Sequence, residues 1–276
     1  MSKERIAIIE GVRTPMGKMG GSLAKIQADN LGAHAAREVI AKADFDKDLI
    51  DHVIFGNVGG PAHAMNIARV LALKAGIDKD IPAFTVHRNC ASGMEAVSSA
   101  GARIRAGDGK IMLVGGTESM SNIPFLFNDK GKAFFTELGS ARTTGAKLKA
   151  ITKFRLSAFA PKIGLMLGLH DIISGMNMGQ TAEVLAKEYH ITRAEQDEFA
   201  TMSHNRAEAG REKLAEEIAP MVDPKTSRII DVDEGVRDGQ TIEKLAKLRP
   251  YFDRRHGTVT AGNSSQITDG AAALII

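Results

Sequence analysis

Thr85-Val86-His87-Arg88-Asn89-Cys90 runs directly into Ala91-Ser92-Gly93-Met94-Glu95-Ala96-Val97-Ser98-Ser99-Ala100-Gly101-Ala102. Ala83 to His87 reads as a strand, and the stretch after Cys90 reads as a helix in which nearly every side chain is tiny. Its glycines weaken its helical propensity, so the compensation is close packing, with neighbouring elements approaching the backbone on several sides. That is the position of a buried central helix in an α/β fold. Cys90 sits at the start of this helix, where unpaired amides and the helix dipole favour a thiolate and can also hold an oxyanion. Spacing alone leaves two readings of equal weight, a nucleophile and a core thiol at a strand-to-helix turn. The chain has one cysteine, which excludes an internal disulfide.

Working outward, strand and helix signals alternate as in a buried-sheet α/β fold. Ile6 to Ile9 reads as a first strand and Ala28 to Ala43 as a helix, from apolar spacing at Leu31, Ala35, Val39 and Ile40. Ile50 to Phe55 and Ile111 to Val114 are further strands, with a helix from Asn66 to Ala75 ended by Gly76. From about Ser121 to Arg249 strand signal fades, and helices follow at Gln180 to Tyr189 and Thr192 to Glu217. Thr192 and Glu195 fit a capping box. Gly257-Thr258-Val259-Thr260 and Ala271 to Ile276 return to strand character, so 121–249 reads as an insertion between core segments 1–120 and 250–276.

The chain has 276 residues, 43% hydrophobic and 25% charged, enough for a sizeable core. A net charge of +3 gives no reason to expect nucleic acid. Between Lys130 and Lys162, however, eight basic residues face one acidic residue, a local +7. A solvated surface insertion, attraction of a phosphate-bearing ligand and attraction to an anionic membrane face all fit that island. The apolar run Ile6 to Ile9 is too short for a signal peptide or a membrane span, which favours a cytoplasmic home. The eight histidines are scattered without ligand-spaced cysteine partners, so no metal or redox cofactor is implied.

Asn89-Cys90-Ala91-Ser92-Gly93 resembles the nucleophile signature of the thiolase family. Gly115-Gly116-Thr117-Glu118-Ser119-Met120-Ser121 resembles the family's following strand-loop. Gly257 to Ala273, containing Ala261-Gly262-Asn263-Ser264-Ser265-Gln266, resembles the close of its N-terminal half. Arg13-Thr14-Pro15 and Asn66-Ile67-Ala68-Arg69 fit as well. The resemblance implies an α/β thiolase lobe, a mixed five-stranded sheet with helices on both faces, carrying a loop domain. It implies that 121–249 is that loop domain, which in the family binds coenzyme A and builds subunit contacts. Carried over, Cys90 matches the acylated nucleophile, Ser265 a coenzyme A contact and Arg237 a nucleotide contact. Leu169, Met178, Phe252 and Ala261 match residues lining the pantetheine and acyl path. Without the resemblance, Leu169, Met178 and Phe252 read as core and Arg237 as a surface cation.

His87 stands where many thiolases have asparagine and reads as a structural histidine rather than a base; Met94-Glu95 replaces an apolar-Gln pair. Asn177 occupies a place where thiolases that make acetoacetyl-CoA typically carry histidine, which favours the degradative branch. The apolar stretch Leu165 to Met178 suggests room for longer acyl chains and resembles the loop of trifunctional β-oxidation thiolases. A tunnel wall ranks above a membrane-surface role for it. The resemblance further implies a homodimer or homotetramer, and a hydratase-dehydrogenase partner is an additional expectation. The family's Asn-Glu-Ala-Phe and Gly-His-Pro stretches and its second reactive cysteine lie in a C-terminal half not contained in these 276 residues. The expected activity is therefore thiolytic cleavage of 3-ketoacyl-CoA by the complete enzyme, with this chain inactive alone. The competing readings are a biosynthetic acetyl-CoA acetyltransferase and a non-catalytic coenzyme A-binding or dimerisation module.

Overall fold

The structure is a computed structural model that describes residues 5–276. It divides into two compact units, one made of the residues through Asn122 together with Gly179–Ile276, the other of Ile123–Met178. The expected insertion at 121–249 therefore splits. Only its first part stands as a separate unit, while the helices from Gly179 onward cluster with the sheet.

The first unit opens with strands β1 (Glu10–Arg13) and β2 (Gly17–Lys18), then helix α1 (Ala28–Lys42), β3 (His52–Gly56), α2 (Ile67–Lys74), β4 (Ala83–Val86), α3 (Ser92–Ala106) and β5 (Met112–Ser119). The second unit holds β6 (Phe125–Leu126), α4 (Asp129–Ser140), α5 (Thr144–Thr152), β7 (Lys162–Ile163) and α6 (Gly164–Gly168). After it come α7 (Met178–Glu188), α8 (Arg193–Ala209), α9 (Arg211–Ala215), the hairpin β8 (Met221–Val222) and β9 (Ile229–Ile230), α10 (Ile242–Ala246) and β10 (Thr268–Ile275).

The main sheet runs β1-β10-β5-β3-β4, with β2 also beside β10. It is mixed, because β3 is parallel to β4 and β5 while β10 is antiparallel to β5 and β1. The chain steps from β3 outward to β4 through α2, then back across β3 to β5 through α3. Right-handed crossovers running in opposite directions put their helices on opposite faces. Side-chain alternation agrees: Val53, Phe55, Leu113 and Ala273 pack with α1 and α2 residues, whereas Ile54, Met112 and Val114 pack with Ala96 and Ala100 of α3. Burying Phe55 completely contributes about 2–3 kcal/mol.

Three local expectations are corrected. The first strand is Glu10–Arg13 rather than Ile6 to Ile9: its ladder starts where Glu10 faces Ile275, and Ile8 and Ile9 are exposed. The helix expected from Thr192 to Glu217 starts with the complete capping box but breaks at Gly210 into α8 and α9. Gly257 to Thr260 is not a strand, because its amides go to side chains instead of a ladder: Thr258 and Val259 donate to the Glu183 carboxylate and Thr260 to Asn263. Among the described residues, no helix is long and apolar enough to cross a membrane.

Candidate active site

Cys90 lies just beyond the carboxyl end of β4, the side of an α/β sheet on which ligands gather, and immediately before α3. The turn that delivers it is sharp. Asn89 adopts φ 47°, in the left-handed region that asparagine tolerates better than most side chains. Ser92 clamps the turn from inside: its hydroxyl donates to the Asn89 carbonyl at 2.6 Å and accepts the Arg88 amide at 2.8 Å, and the residue is buried. Its own amide returns to Asn89 and that of Ala91 to Arg88. The thiol-bearing residue is thereby left exposed at the start of a fifteen-residue helix, whose first-turn amides lack intrahelical acceptors.

The tiny side chains of α3 serve the packing they imply. A Cβ on Gly56 at the end of β3 would lie 2.4 Å from the Ser92 carbonyl carbon, so the helix start rests directly on this glycine. Gly116 of β5 approaches Gly93 in the same way, but with room, at 3.4 Å. Beyond Gly56, Glu118 gathers the loop that follows β3: its carboxylate accepts the Val58 amide at 2.8 Å, the Gly59 amide at 3.0 Å and the Asn57 side-chain amide at 3.1 Å. The Asn57 backbone amide in turn donates to Val86, four residues before Cys90. Glu118 thus braces the strand ends that carry the Cys90 turn.

His87 is exposed, and its Nδ1 accepts the Asn89 amide at 3.4 Å. Arg88, one residue on, pairs with Glu95 at 2.7 Å, a bridge from the turn to the first turn of α3 that uses the glutamate in the Met94-Glu95 departure.

Ala261 and Ser265 lie on a stretch without regular structure that is held by buried or part-buried acids. Glu183 of α7 accepts the Thr258 and Val259 amides at 2.8 and 2.9 Å. Asp197 of α8, 2% exposed, accepts Asn263 Nδ2 at 3.0 Å and Arg193 Nε at 2.8 Å. Arg193 also donates to the Leu245 and Leu248 carbonyls, which ties in α10. Ala261 and Ser265 themselves are exposed. Gln266, next to Ser265, donates to the Glu234 carbonyl at 2.8 Å, which brings the Ser265 stretch against the one leading to Arg237. Arg237 is exposed, and its backbone amide donates to His204. Phe252 is half-buried against Gly179, where a Cβ would meet its ring at 2.1 Å. Leu169 and Met178 belong to the second unit, where the Met178 amide donates to the Leu169 carbonyl at 3.2 Å; Leu169 is half-buried and Met178 exposed.

Arg13 links β1 to the stretch carrying Asp233. Its guanidinium bonds both Asp233 oxygens, at 2.6 and 2.8 Å, and Glu217 at 2.7 Å. Burial pushes the Asp233 carboxyl up, but the Arg13 hydrogen bonds, the Met16 amide and the Arg13 charge outweigh it and hold it below the usual carboxylate range. Sequence reasoning missed Glu118 as a brace, and Glu183 and Asp197 as anchors. Only the Arg193 and Asp197 spacing of four on a helix was a visible signal for any of them. An open cleft of about 610 Å³ lined by Glu10, Lys42, Arg206 and Lys213 contains none of the candidate residues. Among the described residues, no cluster of three metal-ligating side chains occurs.

The thiolase N-terminal domain family matches residues 6–276. The 3-ketoacyl-CoA thiolase of Citrobacter koseri is 38% identical over 275 residues, covering 99% of this chain and 62% of that protein. Beta-ketothiolase BktB of Cupriavidus necator is 39% identical over 282 residues, covering 100% of this chain and 66% of that protein. Among solved structures, human mitochondrial 3-ketoacyl-CoA thiolase in complex with CoA superposes with a TM-score of 0.82 at 32% identity, over 97% of this chain and 63% of that one. The Bacillus anthracis acetyl-CoA acetyltransferase superposes with a TM-score of 0.83 at 31% identity, over 98% and 64%. The chain thus spans somewhat under two thirds of the length of the 3-ketoacyl-CoA thiolases named here. With the Asn89 to Gly93 motif, the mixed sheet and these matches, the chain belongs to the thiolase family.

Proposed function

We propose that Cys90 is the acyl-accepting nucleophile of a 3-ketoacyl-CoA thiolase acting in fatty acid β-oxidation. The observation that carries the reading is the exposed Cys90 at the start of α3, held by the Asn89 and Ser92 turn. In the complete enzyme the Cys90 thiolate attacks the 3-keto carbonyl, forming a tetrahedral oxyanion. The bond between C2 and C3 then breaks, its electron pair goes to the enolate of acetyl-CoA, and protonation of that carbon releases acetyl-CoA. The shortened acyl group remains on sulfur as a thioester. Free coenzyme A, as its thiolate, attacks the thioester and restores Cys90. Coenzyme A is a substrate in this scheme, and no cofactor or metal enters. Splitting the transfer through a thioester replaces one difficult step with two easier ones.

Arg237 and Ser265 are proposed to contact coenzyme A, and Leu169, Met178, Phe252 and Ala261 to line the pantetheine and acyl path. The groups that take the thiol proton and protonate the enolate are proposed to lie in the family's second half, so the 276-residue chain alone is proposed to bind and acylate poorly and not to turn over. Two copies are proposed to pair, which the edge position of β4 supports, since it bonds only β3 among the described residues. Assembly into a homotetramer or with a hydratase-dehydrogenase, and a cytoplasmic home, complete the proposal.

A synthetic direction, condensing two acetyl-CoA units, is the second reading, favoured by the similarity to BktB and to the Bacillus anthracis acetyltransferase. Asn177 argues for the degradative direction, because acetoacetyl-CoA-forming relatives typically carry histidine there. Thiolysis of acetoacetyl-CoA and of a long-chain 3-ketoacyl-CoA, measured on the complete enzyme, separates them: the long-chain substrate is expected to be cleaved efficiently, and a strict acetoacetyl preference would overturn the degradative reading. Turnover by the 276-residue chain alone would overturn its proposed dependence on the second half.

A further inference from the structure

We propose that Glu95 and Arg88 set the reactivity of Cys90 as an opposed pair, the carboxylate restraining ionisation of the thiol and the guanidinium relieving that restraint. The inference deepens the reading of Cys90 as the nucleophile and takes its catalytic meaning from it. Both residues act through Cys90 and are positioning residues. Arg88 lies just before Cys90 on the turn, and Glu95 lies in the first turn of α3. Arg88 Nη1 bonds Glu95 Oε2 at 2.7 Å, so the ion pair spans the segment that contains the thiol. The backbone under it is held at both ends. The Arg88 amide donates to Ser92 Oγ at 2.8 Å and the Glu95 amide to the Ala91 carbonyl at 2.8 Å. The Ser99 hydroxyl donates to Glu95 Oε1 at 3.2 Å, and the Glu95 side chain is 21% exposed against 69% for Arg88. The carboxylate is therefore the fixed and less solvated of the two charges.

The start of a helix favours negative charge, and at α3 two groups compete for it. Glu95 is one, and a Cys90 thiolate, like-charged, costs more for its presence. Pairing with Arg88 offsets the carboxylate and lowers that cost. The remaining charged groups on the surrounding elements are few. His87 is on the turn, and Glu118 of β5 is taken up by the Val58 and Gly59 amides and by Asn57. β4 carries no charged residue, His52 of β3 lies at the strand end away from Gly56, and Arg103 and Arg105 are in the last turn of α3. All of these stay constant when Glu95 and Arg88 are varied, so the differences isolate the pair.

Restraint has a chemical use in transfer between two thiols. A sulfur that ionises more easily presents more thiolate, but that thiolate is a weaker nucleophile and a better leaving group. Glu95 holds Cys90 back from that extreme, and Arg88 keeps the restraint moderate. Because the two charges act with opposite sign, their removal separates an electrostatic role from a mechanical one. A bridge that merely straps the turn to α3 is broken equally by losing either partner.

The test is the rate of Cys90 alkylation by iodoacetamide against pH, on the complete enzyme and on Glu95→Gln, Arg88→Gln and the double variant. Glu95→Gln is expected to move the curve to lower pH, with alkylation about two- to fivefold faster near neutral pH. Its plateau at high pH is expected to be lower, so that its curve crosses that of the unsubstituted enzyme. Arg88→Gln is expected to move the curve to higher pH and slow alkylation near neutral pH by a similar factor, and the double variant to return toward the starting curve. Added salt should shrink both shifts. Shifts in the same direction for the two single variants would assign the bridge a mechanical role and overturn the proposal. Failure of either to move in its stated direction would do the same. Thiolysis by Cys90→Ser separates the two levels of the reading. Retained turnover there, with opposed shifts in the alkylation curves, would remove the nucleophile assignment and leave the pair's effect on the thiol standing; lost turnover without the shifts would remove the pair alone.

Discussion

A methyl group on Gly56 would lie 2.4 Å from the carbonyl carbon of Ser92 and 2.5 Å from its oxygen. The helix that follows Cys90 begins on the backbone of β3 with no space for a side chain between them. Gly56→Ala is therefore expected to cost about 1–3 kcal/mol, the range of overpacking at a site that cannot give way. Gly116→Ala, whose nearest neighbour is Gly93 at 3.4 Å, is expected to be far milder. Urea unfolding of the two variants side by side measures the difference, and equal losses would refute the asymmetric seating of α3.

Glu118 is a positioning residue for the loop beside that seat. Glu118→Gln keeps the shape but gives up charge-assisted acceptance of the Val58 and Gly59 amides. Hydrogen exchange at those two amides is expected to accelerate more than at Ile54 in the neighbouring strand. Uniform acceleration across β3 would indicate global destabilisation instead of a released loop.

The Arg13 and Asp233 pair gives a pH signature. Asp233 has its pKa depressed in the folded chain, so its contribution is fully present above the unfolded value of about 3.9 and is lost as pH falls through the lower folded value. Asp233→Asn is expected to lower stability by about 2 kcal/mol near neutral pH. That gap should stay constant down to about pH 5 and close as the solution is acidified below about pH 4. Stability curves of both proteins against pH test the sign, and a gap that widens in acid would contradict it.

Much of this architecture was legible in the chain, and the exceptions have physical causes. The tiny residues from Ala91 to Ala102 announced a closely packed helix, and the structure supplies the reason at Gly56 and Gly116. Gly257 to Thr260 read as a strand because threonine and valine have that propensity, yet their amides found Glu183 and Asn263 first. No local pattern indicates that a helix carboxylate distant in sequence will replace a ladder. Similarly, Met, Leu and Gly from Leu165 to Met178 could equally wall a tunnel or face solvent, since apolar composition does not state which side a turn presents. The Cys90 turn was readable as a helix start, but the left-handed Asn89 that exposes the thiol was not.

Asn263 joins the Ala261 to Ser265 stretch to Asp197 and Thr258. Asn263→Ala removes both of these bonds and the one that its Oδ1 accepts from the Thr260 amide, and leaves the 2%-exposed Asp197 with Arg193 as its remaining side-chain partner. A loss of about 1–3 kcal/mol is expected in urea unfolding. If Ser265 contacts coenzyme A, the variant should also protect Cys90 less well when coenzyme A is added before alkylation. Unchanged protection would separate this stretch from the ligand.

The most direct test of the central claim is alkylation of Cys90 by bromoacetyl-coenzyme A on the complete enzyme, followed by the mass of the Cys90 peptide, with iodoacetamide as the comparison. A nucleophile served by a coenzyme A site predicts one adduct on Cys90, a rate that saturates with reagent concentration, and slowing by free coenzyme A. A rate that rises linearly, matches that of iodoacetamide and ignores coenzyme A would contradict it.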